Sequence, residues 1–214
     1  GAVLPGGFEI SARKTYGHVS DGMICSAREL RFSEDHNGII RLVELGLDPE
    51  IGSDAIELFQ LKEEVLDVSV LPDRGYAMSI RGVARELANA TGWKWKDPAA
   101  TKAEITPSKE AVTAEILDPT AASRIVLRTL SNFDSTAKSP LWMQRRITLA
   151  GMRPISLAVD VTNYVMLEIG QPLHAFDADK LQGGIKVRRA GESVKLKTLD
   201  DDERVLDMRD IVIA

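Results

Sequence analysis

An α+β fold is what this sequence predicts, on three observations. Short β-branched or alternating stretches recur towards both ends, three segments carry helical periodicity with caps, and a Pro- and Ala-rich stretch separates two halves of different pattern. Each half is expected to hold its own strands and helix.

From the N-terminus, alternation and β-branched residues around Met23 to Cys25 and Ile39 to Val43 suit the strands of a small barrel, with Gly17, Gly22 and Gly38 at its turns. Arg13 and Lys14, with Tyr16 and His18 nearby, form a basic and aromatic cluster of the kind that meets RNA; the same residues read equally as a solvated loop. Val65 to Val70 reads as a strand and Pro72 to Gly75 as a turn. Ser79 then caps an amphipathic helix with Ile80, Val83, Ala84, Leu87 and Ala88 on one face and Gly92 at its end. That face is expected to pack on the preceding strand, leaving Arg81 and Arg85 to solvent or to RNA.

Asp97 to Ser108, with Pro98, Ala99, Ala100 and Pro107, reads as a linker. The domain boundaries that follow are 1–64, 65–96, a linker at 97–108, and 109–214. In the last part Val112 to Ile116 and Arg124 to Leu130 read as strands, and Ser139 and Pro140 open a helix that carries Trp142, Met143, Ile147 and Leu149 and stops at Gly151. Ile185 to Arg189, Ser193 to Lys197, Arg204 to Leu206 and Ile211 to Ile213 read as short strands. The acidic run from Asp200 to Glu203 reads as a solvated turn, not a metal site.

Composition narrows the classes of function. The chain has 214 residues, 44% hydrophobic and 28% charged, enough to bury one good core or two modest ones. Its longest apolar runs fall far short of the about 20 residues that span a bilayer, and nothing resembles a secretory leader, so a cytoplasmic location is the expectation. A single cysteine, Cys25, excludes an internal disulfide and lacks partners at ligand spacing for zinc. A net charge of -5 excludes a whole-surface polyanion binder and leaves only local RNA contact. No phosphate-cradling Gly-rich loop, Ser-His-Asp arrangement, heptad run or internal repeat stands in the sequence.

The stretch DVTNYVMLEIGQPLHAFD at residues 160–177 sets Thr162, Asn163 and His174 among bulky apolar residues, with a Gly-Gln-Pro break between. Asp160 reads as an N-cap, Val161 to Ile169 as a short buried helix, Gly170 as its stop, and Pro172 as the residue that bars continuation. Thr162 and Asn163 would then lie in the first turn, where unpaired N–H groups favour an anion or a developing oxyanion. Such a helix is about 14 Å long, and the five residues from Gly170 reach at most about 17 Å, so His174 must double back to join them. The alternative is structural: a hydrogen-bonded His beside Pro and Phe, a cap-satisfying Asn and a β-branched filler. Asp177 and Asp179 read as turn or cap residues.

These residues carry a resemblance. DVTNYVMLEIGQPLHAFD resembles the signature of the editing domain in the beta chain of bacterial phenylalanine-tRNA ligase. GAVLPGGFEI and YGHVSDGMICSAREL resemble the second half of the oligonucleotide-binding barrel near the start of the same chain, and LPDRGYAMSIRGVAREL resembles the small strand-and-helix module that follows it. The resemblance covers most of the chain and is weakest in residues 97–140. It implies a partial OB-like barrel, a small strand-helix module and the N-terminal part of a mixed α/β editing domain. With Gly1 in place of an initiator methionine and an apolar strand at the end, the chain reads as an excised segment.

The implied function is a share in tRNA binding and in hydrolysis of tyrosine wrongly esterified to tRNA for phenylalanine. An apolar ring pocket rejects an isostere bearing one extra hydroxyl by only about a hundredfold, which is why a second site is needed. In the family, ATP and magnesium act in the alpha chain, so no cofactor is expected in this segment. The implied partners are tRNA for phenylalanine and the alpha subunit, in a heterotetramer of two alpha and two beta chains. The resemblance gives His174 to positioning or activating water or to binding the terminal adenosine, and Asn163 and Thr162 to the ester, ribose or oxyanion. The family's acid that reads the tyrosine hydroxyl lies beyond Ala214, so the isolated segment is expected to be inactive. A non-catalytic tRNA-binding or subunit-assembly module is the alternative, and a free-standing deacylase is a third.

Overall fold

The computed structural model describes residues 1–31, 36, 38–100, 112–192, 194–198 and 202–214. They form two compact units, one from Gly1–Ala99 and Ser135–Leu173, the other from Ala100–Asp134 and His174–Ala214. Among the described residues the secondary structure is mixed helix and short antiparallel or parallel ladders, an α+β chain.

The first unit opens with two hairpins. β1 (Val3–Leu4) pairs antiparallel with β2 (Phe8–Glu9), and β3 (Arg13–Thr15) with β4 (His18–Ser20). The second hairpin turns on Tyr16 and Gly17, with φ of 50° and 83°. Two successive positive φ values define the tight turn whose twist matches the flanking strands. The strands expected at Met23 to Cys25 and Ile39 to Val43 are absent: Leu42–Leu45 instead forms a 3-10 turn ended by Gly46. Val65 to Val70 likewise forms no strand. β-branched residues supply the backbone preference; a strand also needs a ladder of bonds to a neighbouring edge, and the bond from Ile40 N–H to the Cys25 carbonyl, 3.5 Å, does not extend into one among the described residues.

Helices hold this unit together. α1 (Ala55–Leu58) is capped by Asp54, whose carboxylate accepts from Ile56 N–H at 2.8 Å. α2 (Ile80–Thr91) begins at Ser79 and ends at Gly92 in the left-handed conformation, the bounds that its caps predict. It packs on the 3-10 turn Pro72–Met78 and on the helix Leu157–Ile169, and its Val83 and Glu86 line a groove with Val68 to Val70, which form no strand. Gly82 makes the approach to that turn possible, since a Cβ there would stand 1.9 Å from the Tyr76 carbonyl oxygen.

α3 (Leu141–Leu149) and α4 (Leu157–Ile169) pack on each other, and α4 also meets α2. Phe59, Ala88, Met143 and Ile147 are the buried apolar residues of the unit. Arg145 on α3 is buried with them; its Nη1 donates to Gln60 Oε1 at 2.9 Å and its Nη2 lies 3.1 Å from Glu63 Oε1. The segment that follows α1 is thereby tied to α3.

The second unit is a three-stranded sheet plus a hairpin. β5 (Ala114–Ile116) runs parallel to β6 (Ile185–Arg189), which pairs antiparallel with β9 (Ile211–Ile213). β7 (Lys195–Lys197) and β8 (Glu203–Val205) form the separate hairpin, close to the predicted strands. Ile185, Val187 and Ala190 are its buried apolar residues. Alternation in β6 turns Ile185 and Val187 inward and Lys186 outward. Arg124 to Leu130 does not pair, and Val126 and Leu130 are exposed. Most of the expected linker, and half of the acidic run at 200–203, lies outside the described residues; Glu203, at the end of that run, opens β8.

Candidate functional site

The signature stretch folds as helix, cap and extended exit, but its start differs from the expected one. α4 begins four residues earlier in the chain than expected, at Leu157 after an extended Ser156, and Asp160 is not its N-cap. Asp160 lies inside the first turn and is 2% exposed. Its Oδ2 accepts from the Ser139 hydroxyl and its Oδ1 from Ile155 N–H at 2.8 Å. The carboxylate reaches back past the helix start to the residue before the N-cap, so it ties down the chain that leads into α4 from inside the first turn.

The shift changes what Thr162 and Asn163 can do. They stand in the second turn, past the unpaired N–H groups, and the expected helix-terminal oxyanion site does not form around them. The Thr162 hydroxyl donates to the Val159 carbonyl at 2.7 Å, so its proton is committed and its oxygen remains an acceptor. Asn163 is half-buried, and among the described residues its amide has no hydrogen-bond partner. It is the donor this face of α4 has free. Tyr164, next along, meets Trp142 of α3 edge-on at 5.2 Å. Burial, then the Glu168 carboxylate one turn on, push its phenol up from the ordinary value.

Gly170 ends the helix with φ of 85°, as expected, and the Ser79 hydroxyl that caps α2 sits against it. Thr162 and Asn163 belong to the first unit; His174 begins the second segment of the other. His174 is exposed and its ring lies 4.4 Å from that of Phe176. Asp177 accepts from Asp179 N–H at 3.2 Å and caps the 3-10 turn Ala178–Lys180, the turn role expected of both residues.

In the β3–β4 hairpin the register sets Arg13 opposite Ser20, Lys14 opposite Val19 and Thr15 opposite His18. Arg13 and His18 therefore share one face and Lys14 takes the other. Tyr16 stands at the turn, 98% exposed. Spacing alone could not assign those faces, because the turn position decides them. Arg81 and Arg85 also differ from expectation. Arg81 forms a two-pronged pair with Asp97, Nε to Oδ1 at 2.7 Å and Nη2 to Oδ2 at 2.6 Å, and Arg85 lies over the Tyr76 ring. The Arg81 hydrogen bonds hold the Asp97 carboxyl down at about 2.

Among the described residues no group of three or more His, Cys, Asp or Glu could hold a metal ion, and no helix is long and apolar enough to cross a membrane. Burial, helped by Glu29, pushes the Cys25 thiol up, which disfavours the thiolate. Sequence reasoning missed the Ser139–Asp160 bond and the Arg81–Asp97 pair; their partners lie twenty-one and sixteen residues apart, and no local pattern marks either.

A family model described as the B3/4 domain matches residues 121–214, a stretch that contains Thr162, Asn163 and His174. Over its full length the chain is 55% identical, across 214 residues, to the phenylalanine–tRNA ligase beta subunit of Thermobifida fusca. It is 53% identical across 225 residues to that of Leifsonia xyli subsp. xyli and 53% across 214 residues to that of Streptomyces avermitilis. The chain belongs to the family of phenylalanine–tRNA ligase beta subunits. It spans about a quarter of the length of these relatives, covering 25%, 27% and 25% of them in turn.

Proposed function

We propose that this chain supplies part of an editing site that hydrolyses tyrosyl-tRNA for phenylalanine, together with a tRNA-binding surface, within a phenylalanine-tRNA ligase. The observation that carries the reading is that the B3/4 match encloses the whole signature stretch. The free Asn163 amide supports it on physical grounds: a half-buried donor with no partner among the described residues is available to a ligand oxygen.

The roles follow from what each side chain has left to offer. Asn163 donates to the ester oxygen as negative charge develops on it. Thr162, its proton committed to Val159, accepts from a ribose hydroxyl. The exposed imidazole of His174 orients or deprotonates the attacking water, or binds the terminal adenosine. Arg13, Lys14, Tyr16 and His18 serve as a local tRNA contact, with Tyr16 presenting a ring at the hairpin tip and the cations meeting phosphates from both faces.

Residues 1–64 would belong to an OB-like tRNA-binding domain, 65–96 to a small module, 97–108 to a linker and 109–214 to the editing domain. ATP and magnesium, the alpha subunit, the two-plus-two heterotetramer and the cytoplasmic setting belong to the intact ligase. The test is His174→Ala in that ligase, read by release of labelled tyrosine from mischarged tRNA and by phenylalanine activation. Loss of the first with the second unchanged is the expected result. Equal loss of both would leave His174 with a folding role and favour the non-catalytic module.

A further inference from the structure

We propose that residues Trp93 to Lys96 form a stacking platform for an unpaired RNA strand, separate from the β3–β4 hairpin. The segment leaves the end of α2 and doubles back along it, so that Ala84, Leu87 and Ala88 of the helix and the four residues from Trp93 line one groove of about 290 Å³. Trp93 is 69% exposed and offers an aromatic face to solvent. The Trp95 indole N–H is buried and has no acceptor among the described residues.

The platform is held in place. Asp97 takes both prongs of Arg81 and also accepts from Ala99 N–H at 3.0 Å, and the Arg81 guanidinium lies 6.0 Å from the centre of the Trp95 ring. A segment anchored at Asp97 binds without first having to order itself. Its charge selects the ligand. Lys94 and Lys96 alternate with the two tryptophans, and no carboxylate lines the groove. The acid closest in sequence, Asp97, is already neutralised by Arg81. Aromatic faces interleaved with unpaired cations suit a flexible polyanion that carries flat apolar rings, which is an unpaired polynucleotide. An apolar helix or strand would find the lysines set against it.

This inference does not depend on the editing assignment, and its test needs no aminoacylated tRNA. The whole chain is titrated with an oligouridylate of about ten nucleotides at about 50 mM salt, reading indole fluorescence. Quenching that saturates and weakens with salt is expected. Trp93→Ala should weaken binding by about fivefold or more, the low end of what loss of one stacked base costs. Lys94→Ala with Lys96→Ala should lower the slope of log affinity against log salt by about 1.4, or about 0.7 for each phosphate contact on a single strand. Trp142→Phe, on α3, should bind as the unaltered chain does. Circular dichroism confirms that each variant is folded, and Trp93→Phe, which keeps a smaller ring, should fall between. No quenching by the unaltered chain, variants that bind as tightly as it does, equal competition by inorganic polyphosphate, or Trp93-dependent self-association in sedimentation would each overturn the proposal.

Discussion

The Ser139 hydroxyl donates to the buried Asp160 carboxylate, joining a residue two positions before α3 to the first turn of α4. The other carboxylate oxygen holds Ile155 N–H, so one side chain ties the chain entering α3 to the end of the connection that leads into α4. Hydrogen bonds to a buried charge each contribute about 1.5–3 kcal/mol. Asp160→Ala should therefore destabilise the first unit by about 3 kcal/mol or more, measured by urea unfolding. Asp160→Asn should cost less, because the amide still accepts from Ile155 while the Ser139 hydroxyl turns to accept from its NH2. Equal losses for the two variants would mean that charge, not hydrogen bonding, holds the junction.

Gly82 and Gly184 are close-approach glycines, one in each unit. A Cβ at Gly184 would stand 2.3 Å from Thr113 Oγ1 and 2.8 Å from the Thr113 carbonyl oxygen, and one at Gly82 would overlap the Tyr76 carbonyl. Gly82→Ala meets backbone that cannot rotate away and should cost about 3 kcal/mol despite alanine's better helix propensity. In Gly184→Ala the Thr113 hydroxyl can swing aside and the remaining backbone overlap, at 2.8 Å, is milder than the 1.9 Å at Gly82, so a smaller loss of about 1–2 kcal/mol is expected. Thermal melts of both variants check the order.

Acid should weaken both units over one pH window. Arg81 hydrogen bonds hold Asp97 at about 2, and Thr120, then Arg189, hold Asp118 at about 2. A carboxylate depressed in the folded state stabilises it fully above its unfolded value of about 3.9 and loses that contribution as pH falls towards the folded value. Stability should thus decline between about pH 4 and pH 2. Asp97→Asn and Asp118→Asn should each flatten that decline while lowering stability at pH 7, as seen in urea midpoints across the range.

Asn163 and Thr162 should separate kinetically in the intact ligase. Removing one oxyanion donor costs on the order of 10²-fold in turnover, so Asn163→Ala should slow tyrosyl-tRNA hydrolysis by about that much. Thr162→Val keeps shape and loses only an acceptor, and a loss of about tenfold or less is expected. Single-turnover deacylation measures both. A larger effect at Thr162 would mean that its hydroxyl leaves Val159 and donates to substrate.

Tyr16 holds a left-handed conformation, φ 50°, at the tip of the β3–β4 hairpin. Asparagine tolerates that region better than tyrosine does. Tyr16→Asn should leave the melting temperature unchanged or slightly raised while weakening tRNA retention on a filter. Unaltered retention would remove Tyr16 from the RNA contact.

Where information was local, the sequence by itself determined the structure. Ser79 and Gly92 bound α2, Gly170 stops α4, and alternation in residues 185–189 and 211–213 marks β6 and β9. Caps and alternation act over a few residues, and at these positions nothing distant overrides them. The family, too, was legible in the stretch from Asp160 to Asp177. Tertiary structure decided the rest. Asp160 could not be known as a clamp until Ser139, twenty-one residues earlier, was brought to it. The start of α4 at Leu157 carries Thr162 and Asn163 out of the first turn and removes the helix-end chemistry that spacing had offered them. Val65 to Val70 and Arg124 to Leu130 have strand-like composition yet remain unpaired, because a ladder requires a partner edge that composition does not supply.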